Sequence, residues 1–171
     1  MNAHHEPWMD EADRLRELAP RGFLFLCVAN SARSQMAEGI ARSLAPEGVT
    51  VFSAGSNPGR LNPLAVQALG EIGIDISGHR SKGIPEIPAD RVEAVITLCA
   101  EEVCPVFPGK AFRLHWGMRD PASAQGSEEE KMDAFRQTRE ELRHRLEVLF
   151  RGWNKQDSAK RTSMSQEEPH E

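Results

Sequence analysis

The sequence has no long apolar run and no block of basic residues, and these two absences argue against a membrane partner and a nucleic-acid partner. No apolar segment approaches the roughly 20 residues of a membrane-spanning helix, so we expect no membrane partner. A formal net charge of −5, without a cluster of lysine and arginine, argues against a nucleic-acid partner. The first eight residues lack a basic region followed by an apolar core. They therefore predict no signal peptide and a cytoplasmic protein.

Cysteine is also scarce, and its count excludes a disulfide scaffold. The chain of 171 residues has three cysteines, Cys27, Cys99 and Cys104, which is an odd number without the spacing of a disulfide framework. Such usage is typical of a reducing compartment, in which thiols are reactive or bind metal. The length and the apolar fraction of 39% suffice for one domain with a proper core.

Apolar segments of strand and helix periodicity alternate along the chain. Strands are predicted over 23–28, 49–54, 94–98 and 111–115, and helices over 11–18, 34–45, 62–73 and 128–150. This alternation predicts an α/β fold with a four-stranded parallel sheet flanked by helices. We assign it to residues 21–153, after an N-terminal extension over 1–20 that can form a short helix. The polar residues 154–171 are predicted to be a disordered tail.

One stretch, residues 27–34, joins the first strand to the helix after it. A cysteine at the end of a strand, followed by a tight loop and a helix N-terminus, faces several backbone N–H donors, which favour a bound anion and a thiolate. Arg33 adds a fork of donors for a tetrahedral oxyanion, and Ser34 can donate its hydroxyl to the sulfur. The predicted oxyanion-binding loop consists of Val28, Ala29, Asn30, Ser31, Ala32 and Arg33. These parts indicate displacement chemistry by Cys27 on a phosphate-like anion.

The alternative for Cys27 is a structural role. Unpaired cysteine is among the most buried residue types and often behaves as a small apolar side chain. A cysteine at the end of an apolar strand fits that description, and Arg33 could be an ordinary surface charge. The combined strand, loop and helix pattern favours the chemical interpretation.

Five segments share their sequence and order with one known family, and they are CVANSARSQMAE (27–38), VFSAG (51–55), IDISGH (74–79), VITLC (95–99) and HWGMRDPA (115–122). They resemble the arsenate reductases that are built on the low-molecular-weight protein tyrosine phosphatase fold. The resemblance covers about residues 22–152. It implies this fold, a phosphate-binding loop, a role in arsenic resistance and, as ligands, arsenate with phosphate or sulfate as competing anions.

The resemblance also implies a proton donor. Asp120, in the dipeptide Asp120-Pro121, stands where the family has its general acid on a mobile loop. By itself Asp-Pro is a common opening of a turn. The preceding residues His115-Trp116-Gly117 favour the catalytic role.

Cys99 and Cys104 distinguish a reductase from a phosphatase. In the thioredoxin-coupled reductases that the chain resembles, a second thiol attacks the arseno-cysteine and a third leaves a disulfide for an external reductant. The resemblance assigns these steps to Cys99 and Cys104. The chain has only four residues between them, fewer than the best-known relatives, so glutathione with glutaredoxin is an alternative to thioredoxin. No tightly bound cofactor is expected.

Geometry constrains the last disulfide. Residues five apart in a continuous helix have Cα atoms about 8 Å apart, beyond the limit of about 7 Å for a disulfide. If the residues between Cys99 and Cys104 are helical in the reduced protein, oxidation must unwind them. We therefore predict a redox-dependent loop at this position.

Four residues are predicted to support the loop, and they are Asn30, Glu38, Ser53 and Lys82. Lys82 stands where some relatives carry an acid that helps to bind potassium. We expect its ammonium group to replace that ion by reaching Glu38, and hence no bound metal and no potassium dependence.

Three other functions stay open at this point. A low-molecular-weight protein tyrosine phosphatase would hydrolyse phosphate monoesters through Cys27, but these enzymes usually have an aromatic pair where this chain has Ala122-Ser123, and this chain lacks tyrosine altogether. An oxyanion-binding or redox-sensing module without turnover is a second alternative. A zinc site is the third, and besides Cys99 and Cys104 it would need His79 and His115.

Overall fold

The computed structural model describes residues 5–100 and 105–153. Cys104 and the predicted tail lie outside these ranges. The described residues form, in chain order, α1 (Pro7–Leu18), β1 (Gly22–Cys27), α2 (Arg33–Leu44), β2 (Thr50–Gly55), α3 (Pro63–Gly70), β3 (Ala94–Cys99), β4 (Phe112–Met118) and α4 (Glu128–Phe150). No helix among them has the length and apolar character needed to cross a membrane.

The four strands form one parallel sheet in the order β2-β1-β3-β4, which confirms the predicted architecture. Strand β1 is central and buried along its whole length, because its residues are apolar on both faces. Phe23 and Phe25 belong to a large core to which all four helices contribute. Leu24 and Leu26 belong to a smaller core on the other face. Ligands of parallel sheets bind beyond the carboxyl ends of the strands, where Cys27 and Cys99 lie.

Helix α1 begins four residues earlier than the predicted start at residue 11. Pro7 occupies its first turn, where the missing N–H of proline costs nothing. The next residue, Trp8, is buried and packs edge-on against Trp116 and His144, with ring centroids 6.2 and 5.5 Å away. This tertiary contact stabilises a first turn that the loose apolar spacing of the segment does not predict.

Helix α4 begins and ends where the sequence predicts. Ser127 caps its N-terminus by accepting from Glu130 N at 3.1 Å. Arg136 and Arg139 bind Glu71, just after α3, at 2.8 Å each and so fasten α3 to α4. The hydrogen bonds from the two guanidinium groups, that of Arg136 first, lower the pKa of the Glu71 carboxyl to about 2.

Candidate active site

The Cys27 thiol lies at the end of β1 with 2% of the residue exposed. Its Sγ is 2.8 Å from Oγ of Ser34, in the first turn of α2. The Asn30 amide donates to the same Ser34 oxygen at 2.8 Å. Because an amide nitrogen only donates, the Ser34 hydroxyl hydrogen remains available to the sulfur. This arrangement places a hydroxyl donor beside the sulfur of Cys27, as the sequence predicts.

The backbone of the loop is turned so that its donors face inward. The carbonyl groups of Val28, Ala29 and Ser31 accept hydrogen bonds of 2.9–3.0 Å from backbone N–H groups in the segment 57–62. In a planar trans peptide the N–H of the next residue points away from the carbonyl. The N–H groups that follow these three carbonyls therefore point to the inside of the loop. Together with the N-terminus of α2 they form a concavity of the kind that attracts anions.

Asn30 holds this loop in shape. It adopts a left-handed conformation, with φ of 48°, which asparagine tolerates better than most residues. Besides Ser34, its amide nitrogen donates to Ser53 Oγ at 2.9 Å. Its amide oxygen accepts from Lys82 N at 2.9 Å and from Gln35 Nε2 at 3.0 Å. Every side-chain hydrogen-bonding group of this buried residue is thus satisfied within the protein.

The end of β2 approaches the same loop closely at Gly55. A Cβ atom at this position would lie 2.3 Å from Val28 O and 2.8 Å from Asn30 N. Both neighbours are backbone atoms of the loop and cannot yield without reshaping it. Glycine is therefore required here by close backbone approach.

Arg33 and Asp120 flank the loop on the side of β3 and β4. Arg33 is 5% exposed, and its Nη1 donates to Met118 O at 2.9 Å. Its Nη2 lies 4.0 Å from Asp120 Oδ2. The other carboxylate oxygen of Asp120 accepts from Ala122 N at 3.0 Å and caps a short turn. The guanidinium is thereby anchored at one side, and the acid lies beside it.

These groups surround a cavity of about 480 Å³, lined by Val28, Ala29, Arg33, Ala100, Arg119, Asp120 and Ser123. Two lining side chains are cationic and one is acidic. No aromatic ring is among the described residues that line it. The two guanidinium groups make this lining attractive to a small, negatively charged oxyanion.

Cys99 ends β3, the strand beside β1, and is buried. Leu26 pairs with Thr97, so Cys99 comes one residue beyond the position opposite Cys27. Adjacent strands are about 4.8 Å apart, so the two backbones are close. Residues one position out of register face opposite sides of a sheet, so a Cys27–Cys99 disulfide requires the strand ends to move. No disulfide joins Cys27 and Cys99 in the structure. Because Cys104 lies outside the described residues, its relation to Cys99 remains a prediction.

The predicted contact between Lys82 and Glu38 is wrong. The Lys82 ammonium group donates instead to Arg80 O at 3.0 Å. The buried Glu38 carboxylate is held by His79, whose Nδ1 is 2.9 Å from Oε2. Lys82 hydrogen-bonds the loop through its backbone N–H to Asn30, and its charge acts on Glu38 without an ion pair. The reason for expecting potassium independence is thereby removed.

The sequence analysis did not identify two features of this support. Gln35 was not assigned to it, and His79 was not recognised as the partner of Glu38. Nε2 of the fully buried Gln35 donates to Asn30 and to Arg80 O, and Nδ1 of His79 is 3.1 Å from Gln35 Oε1. Since both neighbours of Nδ1 are acceptors, this nitrogen carries the proton. Burial lowers the pKa of His79, against the opposing charge of Glu38. Gln35 could have been identified in the sequence as a polar residue in the first turn of α2, which is expected to be buried.

Within residues 5–100 and 105–153, no group of three or more metal-ligating side chains comes together. Nδ1 of His79 contacts Glu38 and Gln35. Nδ1 of His115 lies 2.7 Å from Thr97 Oγ1. The zinc alternative also depends on Cys104, which this part of the chain does not include.

Replacing Asn30 by alanine is expected to destabilise the protein by roughly 2–4 kcal/mol, because several buried hydrogen-bonding groups lose their partner at about 1–3 kcal/mol each. Denaturant unfolding measures this change. The matched control is Asn57→Ala, at an exposed asparagine of the facing segment, for which a change within about 0.5 kcal/mol is expected. Equal effects of the two substitutions would contradict the role of Asn30 as the centre of the loop.

Comparison with known proteins gives one consistent family. A sequence model of the low molecular weight phosphotyrosine protein phosphatases matches residues 22–161. An arsenate reductase of Bacillus subtilis is 47% identical over 124 residues, covering 71% of this chain and 89% of that protein. An arsenate reductase of Halalkalibacterium halodurans is 45% identical over 127 residues, covering 73% and 91%.

Solved structures agree with the sequence relatives. The structure of an arsenate reductase in the phosphate binding state is 34% identical, with a TM-score of 0.64, and covers 78% of this chain and 98% of its own. The arsenate reductase of Archaeoglobus fulgidus is 25% identical, with a TM-score of 0.65, and covers 75% and 98%. The N-terminal helix α1 precedes the residues that the family model matches.

Proposed function

The chain belongs to the low molecular weight phosphotyrosine protein phosphatase family, and we propose that within it this protein is an arsenate reductase. The observation that carries the proposal is a second buried thiol, Cys99, on the strand beside that of Cys27. Hydrolysis of a phospho-cysteine needs no such thiol. Reduction of arsenate needs two electrons, and a pair of thiols supplies them.

In the proposed first step the Cys27 thiolate attacks arsenate held by the loop. A sulfur–arsenic bond forms and one arsenic–oxygen bond breaks, while arsenic remains pentavalent. The departing oxygen takes the proton of Asp120 and leaves as water. Arg33 and the inward N–H groups stabilise the charge that develops on the remaining oxygens. Ser34 holds the sulfur before attack.

In the second step the Cys99 thiolate attacks the sulfur of Cys27. A disulfide forms and the sulfur–arsenic bond breaks, with its electron pair remaining on arsenic. Arsenic is thereby reduced to the trivalent state and leaves as arsenite, and the two sulfurs are oxidised. Cys104 then attacks the sulfur of Cys99, which frees Cys27 as a thiolate and leaves a Cys99–Cys104 disulfide. This relay follows the resemblance and extends to a residue outside the described ranges.

The proposal includes an external thiol reductant that opens the final disulfide. Thioredoxin is the donor that the resemblance implies, and glutathione with glutaredoxin is the alternative. Both belong to a reducing compartment, which agrees with a cytoplasmic protein. Arsenate, and phosphate as its competitor, would bind in the cavity above Cys27.

Hydrolysis of phosphate monoesters is the second candidate function, and the family description favours it. Cys27, Arg33 and Asp120 suffice for that chemistry too. The absence of an aromatic ring among the described lining residues argues against aryl phosphates as preferred substrates. We propose weak phosphatase activity beside arsenate reduction.

A single turnover tests the relay by its thiol count. The reduced protein, with its three thiols, is mixed anaerobically with arsenate and no reductant. We expect one arsenite per protein and the loss of two thiols. Cys104→Ser should also release one arsenite and retain a Cys27–Cys99 disulfide, which mass spectrometry identifies.

The matched variant Cys99→Ser should release no arsenite and still bind phosphate. If Cys99→Ser reduces arsenate at the wild-type rate, another thiol accepts the role of Cys99 and the relay is wrong. The protein is a phosphatase if the wild type, Cys99→Ser and Cys104→Ser all fail to reduce arsenate and all hydrolyse an aryl phosphate at the same rate.

A further inference from the structure

Arg119 lines the cavity beside the loop that follows Cys27 and has no assigned role. It follows β4 directly, is exposed, and lines the cavity together with Arg33 and Asp120. Among residues 5–100 and 105–153 its side chain has no hydrogen bond and no ion pair. Its guanidinium is therefore available to an ion from solvent.

A second cavity adjoins the first at the same residue. It measures about 260 Å³, and among its lining residues are Arg119, Asp120, Gln125, Gln137 and Thr138. Among the described residues that line them, the two cavities share Arg119 and Asp120. Arg119 therefore borders both cavities.

Because the protein is negatively charged overall, an exposed cation beside the site would help an oxyanion to enter. A net charge of −5 repels an incoming oxyanion, and the Cys27 thiolate and Asp120 add negative charge at the site itself. Arg33 offsets part of this charge, but its Nη1 is bound to Met118 O and the side chain is 5% exposed. Exposed cations at the rim of a cleft raise the local concentration of anions and their rate of entry. Among the described lining residues, Arg119 is the exposed cation.

We propose that Arg119 captures the doubly negative oxyanion by charge and delivers it to the loop above Cys27. The inference builds on the proposed function. The attraction acts on arsenate and phosphate alike, since the two have the same shape and charge. It does not act on arsenous acid, which is uncharged at neutral pH, so the product is not retained by the same residue. Arg119 is in this sense a positioning residue for substrate entry.

The test compares Arg119→Glu with the matched control Lys110→Glu. Lys110 is exposed and precedes β4, so it lies at the opposite edge of the sheet from the site. Both substitutions change the net charge by the same amount. The readouts are the Kd of inorganic phosphate by calorimetry and kcat/KM for arsenate, each at low and at high salt.

At low salt Arg119→Glu should weaken phosphate binding and lower kcat/KM for arsenate by roughly 10-fold or more, and salt should reduce this difference strongly. The kcat at saturating arsenate should change less than twofold. Arg119→Lys should behave like the wild type, because a charge is needed and not a fork of donors. Lys110→Glu should change each value by less than about twofold.

Equal effects of Arg119→Glu and Lys110→Glu would overturn the proposal, because net charge alone would then explain them. A loss in Arg119→Lys as large as in Arg119→Glu would also overturn it, since that result indicates a specific contact in the bound state. Phosphate binding does not require reduction of arsenate. The capture role can therefore stand if the reductase function fails, and it can fail while the reductase function stands.

Discussion

Replacing Cys27 by serine is expected to abolish arsenate reduction while the protein still binds phosphate. A serine hydroxyl is not ionised near neutral pH, so the attack on arsenic should slow on the order of 10⁴-fold or more. The substitution is nearly isosteric, and the contact with Ser34 can persist. Because the negative charge of the thiolate is removed, phosphate should bind at least as tightly as in the wild type.

Two measurements together check this expectation. Arsenite release is followed with an excess of dithiol reductant, and the Kd of phosphate is measured by calorimetry. Loss of both arsenite release and phosphate binding would mean that the serine disrupts the loop, in conflict with the geometry around Ser34. Arsenite release by Cys27→Ser above about 1% of the wild-type rate would show that Cys27 is not the nucleophile.

The next largest effect is expected for Asp120→Asn, which should lower kcat for arsenate reduction by roughly 10²–10⁴-fold, the usual contribution of a positioned proton donor. Asparagine keeps an oxygen that can accept from Ala122 N, so the turn over Pro121–Ser123 is preserved. The proton for the departing oxygen is lost. The Kd of phosphate should change by only a few-fold, because the loop that holds the anion is intact.

The matched control for Asp120→Asn is Asp90→Asn, at an exposed aspartate in another short turn. Its kcat should equal that of the wild type within about twofold. If Asp120→Asn retains more than about a tenth of the wild-type kcat, a different group or water protonates the leaving oxygen. The pre-steady-state formation of the arseno-cysteine then needs another proton donor.

The parts of the site that are local in sequence were predictable. The strand, the loop and the helix around Cys27 follow from an apolar run, a polar loop and an apolar helical spacing within about 20 residues. Strand alternation with helices also predicted the parallel sheet and the edge at which Cys27 and Cys99 end their strands. These features depend on periodicity, which a single sequence carries.

The contacts of the site that depend on a segment distant in sequence were not predictable. The segment that contains His79 and Lys82 meets the loop only in the folded chain, and the backbone decides which side chain faces Glu38. The family resemblance suggested Lys82, but its side chain turns to Arg80 O, and His79 contacts the Glu38 carboxylate. The first turn of α1 was missed for the same reason, since its stability comes from the contact of Trp8 with Trp116.

The measurement that tests the central claim most directly is NADPH consumption by the reduced protein with arsenate, thioredoxin and thioredoxin reductase, with a parallel series in glutathione and glutaredoxin. We predict steady turnover with at least one of these couples, and its loss in both Cys99→Ser and Cys104→Ser. Steady turnover that persists in those two variants would contradict the relay. An absence of arsenate turnover with either couple, together with hydrolysis of an aryl phosphate through Cys27, would contradict the assignment as a reductase.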